Sequence, residues 1–233
     1  MRLPPVVTEA FAPVHRQGWP FVALGFAAAI LLGLLAGPLF WLGLLATLWV
    51  AYFFRDPVRM APDGPDLVVS PADGVVQAVR PRRPPVELGL GDDEVPCVSV
   101  FMNVFDVHVN RSPAAGKVER RVYRPGKFVN AALDKASEDN ERMGWVLRLP
   151  DERRLGLVQI AGLVARRIVP FVEEGRAVAT GERIGLIRFG SRCDVYLPAG
   201  AVPRVWQGQR AVAGETILAD GRSNLPPPAG VAR

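Results

Sequence analysis

The stretch "RAVATGERIGLIRFGSRCDVYLP" (residues 176–198) indicates which class of fold this sequence predicts. Its short apolar runs, separated by glycines, are typical of short β-strands joined by turns. One feature is unusual: Gly190-Ser191 is the only Gly-Ser pair in the chain, and it lies between apolar runs where no turn is needed. A turn, a bulge and a nucleophile are the interpretations that this stretch leaves open.

The chain around this stretch has the same β-rich texture. The predicted β segments are residues 67–79 (strand, turn, strand), 95–113 (one or two strands), 116–123 (one strand) and 145–162 (a hairpin around Pro150-Asp151). Residues 130–142 are polar and are predicted to form a helix or a loop, and the last dozen residues a tail. We therefore predict a mainly β domain over residues 56–233, of sandwich or barrel type, with hammerhead-like elements and few short helices.

The N-terminal segment is apolar and differs from the rest. Residues 18–54 carry no charge, and this length exceeds the roughly 20 residues that one membrane crossing needs. Pro38 breaks or kinks a helix there, so the alternatives are one tilted, kinked span or a hairpin of two short helices. Arginines on both flanks favour the hairpin, because both ends then lie on the cytoplasmic side. We predict that residues 1–55 form a membrane-associated helical hairpin at the cell membrane, with residues 56–233 on its cytoplasmic side.

Charge and cysteine content limit which classes of binding partner and which kinds of cross-link the sequence predicts. The formal net charge is +5, but the basic residues do not alternate with aromatic residues as a nucleic-acid stacking surface requires. Because the chain also has an apolar N-terminal segment, the positive charge favours anionic lipid as the binding partner, and no nucleic-acid partner is expected. The two cysteines, Cys97 and Cys193, have no CxxC spacing, so the sequence predicts neither a disulfide framework nor a metal site.

Two polar residues are candidates for chemistry, and each also has a structural interpretation. His108 is one of only two histidines and the one outside the N-terminal region; it is either a hydrogen-bonded strand histidine or a general base. Asp73 precedes a glycine, as in a tight hairpin turn, and is either structural or a carboxylate that orients an imidazole. Cys193 is interpreted as a small core residue, because nothing near it in sequence would lower its pKa.

Four motifs in order resemble one known family. "SPADGVV" (70–76), "FMNVFDVHVNRSP" (101–113), "NAALDKASEDNER" (130–142) and "GLIRFGS" (185–191) resemble the phosphatidylserine decarboxylase proenzymes in their short form. The resemblance extends from about residue 55 to residue 218. The sequence is also similar to the archaetidylserine decarboxylases, so the resemblance defines the reaction better than the exact lipid substrate.

This resemblance implies a self-processed enzyme with a covalent pyruvoyl cofactor. Ser191 would attack the carbonyl of Gly190, and the chain would separate into residues 1–190 and 191–233. Ser191 would become the pyruvoyl group and form a Schiff base with the amino group of phosphatidylserine, which would yield phosphatidylethanolamine. His108 would serve as the base for self-cleavage and as a proton donor, oriented by Asp73.

The resemblance also suggests binding residues and partners. Arg142 and Arg192 are candidates for pairing with the lipid phosphate or carboxylate, although nothing in the sequence chooses between them. The expected partners are phosphatidylserine in the membrane and the two self-cleaved chains of the same proenzyme, as a single copy or a homo-oligomer.

Two rival functions belong to other classes. Residues 172–191 also resemble the strand–turn–strand of biotinyl or lipoyl carrier domains, which would make the protein a membrane-tethered carrier or adaptor. The chain has no lysine after Lys135, so the attachment residue of such a carrier is missing. The other rival is a pyruvoyl decarboxylase of a soluble amino acid, which gives no reason for an apolar N-terminal segment.

Overall fold

The computed structural model describes residues 12–64, 66–126, 140–162, 167–188 and 190–221, and the chain divides into two compact units, Met1–Val58 and Arg59–Arg233. The described part of the first unit contains helices α1 (Trp19–Leu35) and α2 (Gly37–Phe53). Between them Ala36 is extended, with φ −160° and ψ 135°. Pro38 lies in the first turn of α2, where the missing N–H of proline leaves no helical hydrogen bond unmade.

The two helices pack side by side and antiparallel. A Cβ atom on Gly43 would lie 2.8 Å from the backbone of Ala29, and one on Gly25 would lie 2.8 Å from Thr47. Glycine at these positions therefore allows the helices to approach closely, and the segment is a hairpin rather than one kinked helix. Among the described residues, no helix combines the length and the apolar character that a membrane crossing requires.

The second unit is mainly β, as the sequence predicts. With strands numbered along the chain, the eight-stranded sheet has the order β13 (Arg210–Ala211), β2 (Gly74–Arg82), β3 (Val95–Met102), β11 (Ser191–Tyr196), β7 (Arg154–Ala161), β6 (Arg142–Arg148), β5 (Gly116–Arg124) and β9 (Ala177–Val178). Two three-stranded sheets have the orders β1 (Leu67–Val69), β14 (Ile217–Asp220), β12 (Val202–Pro203) and β4 (Val109–Arg111), β10 (Arg183–Ile187), β8 (Ile168–Pro170). The neighbouring strands in each sheet are antiparallel.

The large sheet has two faces with different surroundings. We call the face that carries Met102, Ala161 and Ser191 the core face; its side chains belong to the main hydrophobic core or lie next to it. The β4–β10–β8 sheet packs on this face, where Gln159 donates a hydrogen bond of 2.7 Å to Asn110. The opposite face, here the outer face, carries a smaller apolar cluster that includes Leu88 of a short 3-10 turn (Val86–Leu88).

Strand β11 lies in the middle of the large sheet. All six of its residues pair with β3 on one side and with β7 on the other. Its backbone groups are therefore engaged in two ladders, and its side chains are buried on both faces. The Gly190-Ser191 pair lies at the point where the chain enters this central strand.

Several local predictions can be compared with the structure. The hairpin around Pro150-Asp151 is confirmed by the antiparallel pairing of β6 with β7. Strands form at both ends of residues 67–79, but β1 pairs with β14 and β2 pairs with β3. The interpretation of Asp73-Gly74 as a tight hairpin turn is therefore wrong, because the strands it joins belong to different sheets.

Two other predictions fall wholly or mainly outside the described residues. Of the segment predicted as helix or loop, residues 130–139 lie outside, and its last residue, Arg142, opens β6. The predicted tail from residue 222 onward also lies outside.

Candidate active site

The Gly190-Ser191 peptide lies at the entrance to β11 in an unusual backbone conformation. Gly190 has φ +69°, in the left-handed region that L-residues with a side chain rarely adopt. A Cβ atom built on Gly190 would meet nothing within 4 Å, so the backbone conformation rather than crowding requires glycine. Ser191 is fully buried and pairs with Met102 of β3 and Ala161 of β7.

The hydroxyl of Ser191 points to the core face, where a chain of buried polar side chains begins. Its Oγ donates to Sδ of Met102 at 3.6 Å, and Nδ2 of Asn110 donates to the same sulfur at 3.5 Å. Gln159 donates to Oδ1 of Asn110 at 2.7 Å and accepts from Nε1 of Trp145 at 2.7 Å. Because each of these polar groups has a partner inside the core, the side chains under Ser191 are held in defined orientations.

His108 is fully buried and contacts the backbone of Gly190, the residue before Ser191. The backbone N–H of Gly190 donates to its Nε2 at 3.2 Å, and its Nδ1 lies 2.9 Å from the carbonyl oxygen of Asp106. A carbonyl can only accept, so Nδ1 carries the proton and Nε2 presents its lone pair. The sequence-predicted base therefore lies beside Gly190, and its unprotonated nitrogen accepts from the N–H one residue before Ser191.

Asp73 is buried but is engaged by other groups. Its Oδ2 accepts from Nη2 of Arg59 at 2.6 Å, and its Oδ1 accepts from the N–H of Ala213 at 2.7 Å. The two ring nitrogens of His108 are engaged by Asp106 and Gly190. The role of Asp73 in orienting His108 stays a prediction, and the group at Nδ1 is the carbonyl of Asp106.

The two candidate arginines lie on the other side of the sheet from the hydroxyl of Ser191. Arg192 follows Ser191 in β11, so its side chain points to the outer face. Arg192 pairs with Ile160, and Ile160 pairs with Arg142, which places all three side chains on that face. The structure therefore brings together Gly190, Ser191 and His108, but it does not bring Arg142 or Arg192 to the core face.

Both arginines have carboxylate partners on the outer face. Arg192 Nε lies 2.9 Å from Oδ1 of Asp194 and its Nη2 lies 3.0 Å from Oδ2, and both side chains are at most 1% exposed. Arg142 Nε lies 2.6 Å from Oε1 of Glu87. Burial alone would raise the pKa of Glu87, but the hydrogen bond and charge of Arg142 lower it.

Cys193 is a core residue, as the sequence predicts. Its side chain is fully buried in the main hydrophobic core. Burial raises the pKa of its thiol, and the nearby Asp194 carboxylate adds to the effect. The thiol is therefore protonated at neutral pH and is not a nucleophile.

Sequence reasoning missed the residues that surround the candidate nucleophile and base. Met102 and Asn110 belong to the same stretch as His108, but an apolar thioether and a strand amide have no signature of catalysis. Asp106 lies two residues before His108, and the contact to the ring uses its backbone carbonyl. Any residue type has such a carbonyl, so only the course of the chain could reveal this contact.

The geometry defines a class of protein: a β-sheet protein in which a left-handed glycine precedes a buried serine and has a histidine beside it. The family model for phosphatidylserine decarboxylase matches residues 46–219 of the chain. A phosphatidylserine decarboxylase proenzyme from Beijerinckia indica subsp. indica is 59% identical over 224 residues, which cover 96% of each chain. The chain belongs to the phosphatidylserine decarboxylase family.

Proposed function

We propose that this chain is a self-processing proenzyme that decarboxylates phosphatidylserine to phosphatidylethanolamine with a pyruvoyl group made from Ser191. Family membership supports the reaction. The observation that carries the residue assignment is the contact between Nε2 of His108 and the N–H of Gly190, directly before a buried serine. The fit of Ser191 as the precursor of the pyruvoyl group is supported by the left-handed Gly190, which has no side chain of its own beside the carbonyl carbon.

Self-cleavage begins at Ser191. Nε2 of His108 accepts the hydroxyl proton, Oγ bonds to the carbonyl carbon of Gly190, and the C–N bond breaks, so that an ester replaces the amide and the amine of Ser191 takes up a proton. Loss of the Cα proton of residue 191 then breaks the Cβ–Oγ bond, which frees residues 1–190 with a terminal carboxylate. Water replaces the nitrogen of the remaining dehydroalanine, and ammonia leaves.

In turnover, a pyruvoyl carbonyl at position 191 supplies an electron sink for the electrons released with carbon dioxide. The chain's own residues hold that position and move protons there. Strand β11 is held by β3 and β7, so its first residue keeps its place after the backbone is cut. His108, within reach of the same peptide, is the group that returns a proton to the substrate carbon.

Intact-mass analysis of the purified chain under denaturing conditions tests this proposal. Two pieces are expected, residues 1–190 and 191–233, together heavier than the precursor by one water and lighter by one ammonia. Ser191→Ala should leave one chain, and His108→Ala should slow cleavage by a factor on the order of 100 or more. A folded wild-type chain that stays whole would overturn the self-processing.

The substrate test separates the rival functions. Carbon dioxide should be released from phosphatidylserine in vesicles or mixed micelles and not from free serine. Release from free serine at the same rate would favour the decarboxylase of a soluble amino acid. A whole chain with neither activity would favour the carrier or adaptor, although the chain has no lysine after Lys135 to carry a prosthetic group.

We further propose that the first unit holds the protein at the cytoplasmic face of the cell membrane, where its lipid substrate lies. The apolar side chains of α1 and α2 support this, since Leu31, Leu34, Leu35, Trp41 and Leu45 are each more than 60% exposed. Exposed apolar area of this extent, with no charged residue between residues 18 and 54, is typical of a surface that contacts lipid.

A further inference from the structure

We propose that Asp106 and Arg210 are positioning residues for His108: their ion pair holds the turn whose carbonyl selects the tautomer with the basic nitrogen at the cleavage peptide. This inference rests on the proposed role of His108 as the base of self-cleavage. Both residues are proposed to act through His108 and not on the reacting atoms themselves.

The first observation is a closed turn over Asn103–Asp106. The N–H of Asp106 donates to the carbonyl of Asn103 at 3.0 Å, and the N–H of Asn103 donates back to Oδ2 of Asp106 at 2.9 Å. The N–H of Phe105 donates to Oδ1 of Asn103 at 2.8 Å. These three bonds fix the backbone directly before His108, as in other turns built on Asx side chains.

The second observation is the direction of the carbonyl at the end of this turn. The carbonyl oxygen of Asp106 lies 2.9 Å from Nδ1 of His108. It holds the proton of a neutral imidazole on Nδ1, which leaves the lone pair on Nε2, 3.2 Å from the N of Gly190. With the other tautomer, an N–H would face the N–H of Gly190, and the nitrogen needed as the base would be blocked.

The third observation is the charge that keeps the turn closed. Asp106 is 2% exposed, and a carboxylate buried to this extent requires a compensating charge. Nη2 of Arg210 supplies that charge at 2.5 Å from Oδ1, with its own side chain 61% exposed. Without Arg210, the buried Asp106 carboxylate would turn toward water, which would break its bond to the N–H of Asn103.

The position of Arg210 in the chain adds a consequence for the processed protein. Asp106 belongs to residues 1–190 and Arg210 to residues 191–233, so their ion pair would join the two products of self-cleavage. Arg210 is held in β13, which pairs with β2 of the larger product. The same contact that orients His108 before the cut therefore keeps it oriented afterwards.

The tautomer can be measured directly, because the chain has only two histidines. In full-length Ser191→Ala protein that also carries His15→Gln, His108 is the one imidazole, and its ring ¹⁵N shifts identify the protonated nitrogen. The expected result is a proton on Nδ1. A neutral ring with its proton on Nε2 would overturn the proposal. The measurement of the tautomer does not depend on catalysis. If the wild-type chain fails to self-cleave, the proposed function is refuted, but the ring shifts still show whether the proton is on Nδ1.

Arg210→Gln tests the ion pair, and Arg176→Gln is the matched control. Arg176 also makes an exposed pair with a carboxylate, Glu182, at 2.5 Å. With Ser191 present, Arg210→Gln should slow self-cleavage by about tenfold or more, and Arg210→Lys should restore most of the rate. In the Ser191→Ala, His15→Gln protein, Arg210→Gln should also produce a mixture of tautomers. Arg176→Gln should change neither readout.

Two results of the variant experiment would contradict the role of Arg210. One is an unchanged cleavage rate and an unchanged ring spectrum in Arg210→Gln. The other is an equal loss in Arg210→Gln and Arg176→Gln, which would mean that any exposed ion pair has the same effect. If Arg210→Gln does not fold, the tautomer of the parent protein and the rate of Arg210→Lys still decide the proposal.

Discussion

Gly190 combines two properties that suit the proposed self-cleavage, the lack of a side chain beside its carbonyl and a left-handed backbone. In Gly190→Ala the added Cβ has room, so the cost is conformational, about 1 kcal/mol in the free energy of unfolding. Because the alanine would favour a different backbone angle, the carbonyl would turn away from Ser191 and self-cleavage should slow severalfold. Cleavage is followed by denaturing gel after a pulse of synthesis.

Gly200→Ala is the control for this prediction. Gly200 has φ +80° and equally open space around its Cβ position, so the stability loss should be similar. Its cleavage rate should equal that of the wild type. If both variants slow cleavage to the same extent, general destabilisation rather than the conformation of Gly190 explains the effect.

Arg192 offers a second test at the scale of one residue. Because its ion pair with Asp194 is buried, Arg192→Met should remove the closer of two cations beside this carboxylate and lower the free energy of unfolding by about 3 kcal/mol. Arg82, 3.7 Å from Asp194, limits the loss. The measurements are urea denaturation and the KM for phosphatidylserine, which should not change. A raised KM with full stability would instead support the predicted contact between Arg192 and substrate.

At the scale of elements, the sequence predicts which segments are strands but not how they pair. Alternating and continuous apolar runs identify β3, β5, β6 and β7 because this signal is local. The partner of β1 is β14, about 150 residues away, and nothing in "SPADG" indicates that the flanking strands separate into two sheets. The prediction of Ser191 as nucleophile and His108 as base rests on residue types with characteristic chemistry and on the family resemblance, whereas a backbone carbonyl such as that of Asp106 has no sequence signature.

The 3-10 turn on the outer face provides a pH-dependent contact between elements. Burial acts to raise the pKa of Glu87, but the hydrogen bond and charge of Arg142, the first residue of β6, hold it below the ordinary glutamate value of 4.5. A lowered carboxyl pKa contributes stability above the pKa of the unfolded chain, and this stability is lost as pH falls through the lower, folded value. Glu87→Gln should therefore melt at a lower temperature than the wild type at pH 7, and the difference should close as the pH is lowered below 4.5.

Thermal melts across this pH range check the prediction. Glu173→Gln is the control, because the Glu173 side chain is 78% exposed in its pair with Arg121 and such pairs contribute little. A difference between Glu87→Gln and the wild type that persists unchanged in acid would show that the lost contact is one of packing rather than charge.

At the scale of the whole molecule, the chain combines a β unit that holds the cleavage peptide with a separate apolar hairpin. The central position of β11 explains how a backbone cut can be tolerated. A product that begins at residue 191, as proposed, would keep two ladders of six residue pairs each, to β3 and to β7. The proposed cut would therefore create a reactive terminus inside an intact sheet, and the two products should remain together until they are denatured.

The apolar hairpin leads to the last prediction, that the exposed leucines near its turn hold the protein on lipid. Leu34 and Leu35 are each 79% exposed, and placing each in lipid is worth roughly 1.5–3 kcal/mol. The double variant Leu34→Glu, Leu35→Glu should bind phosphatidylserine-containing vesicles at least about tenfold more weakly in a sedimentation assay. Val86→Glu is the control, since Val86 is 80% exposed on the β unit and should leave binding unchanged. Both variants should still self-cleave at the wild-type rate, and undiminished binding by the double leucine variant would refute the role of the hairpin.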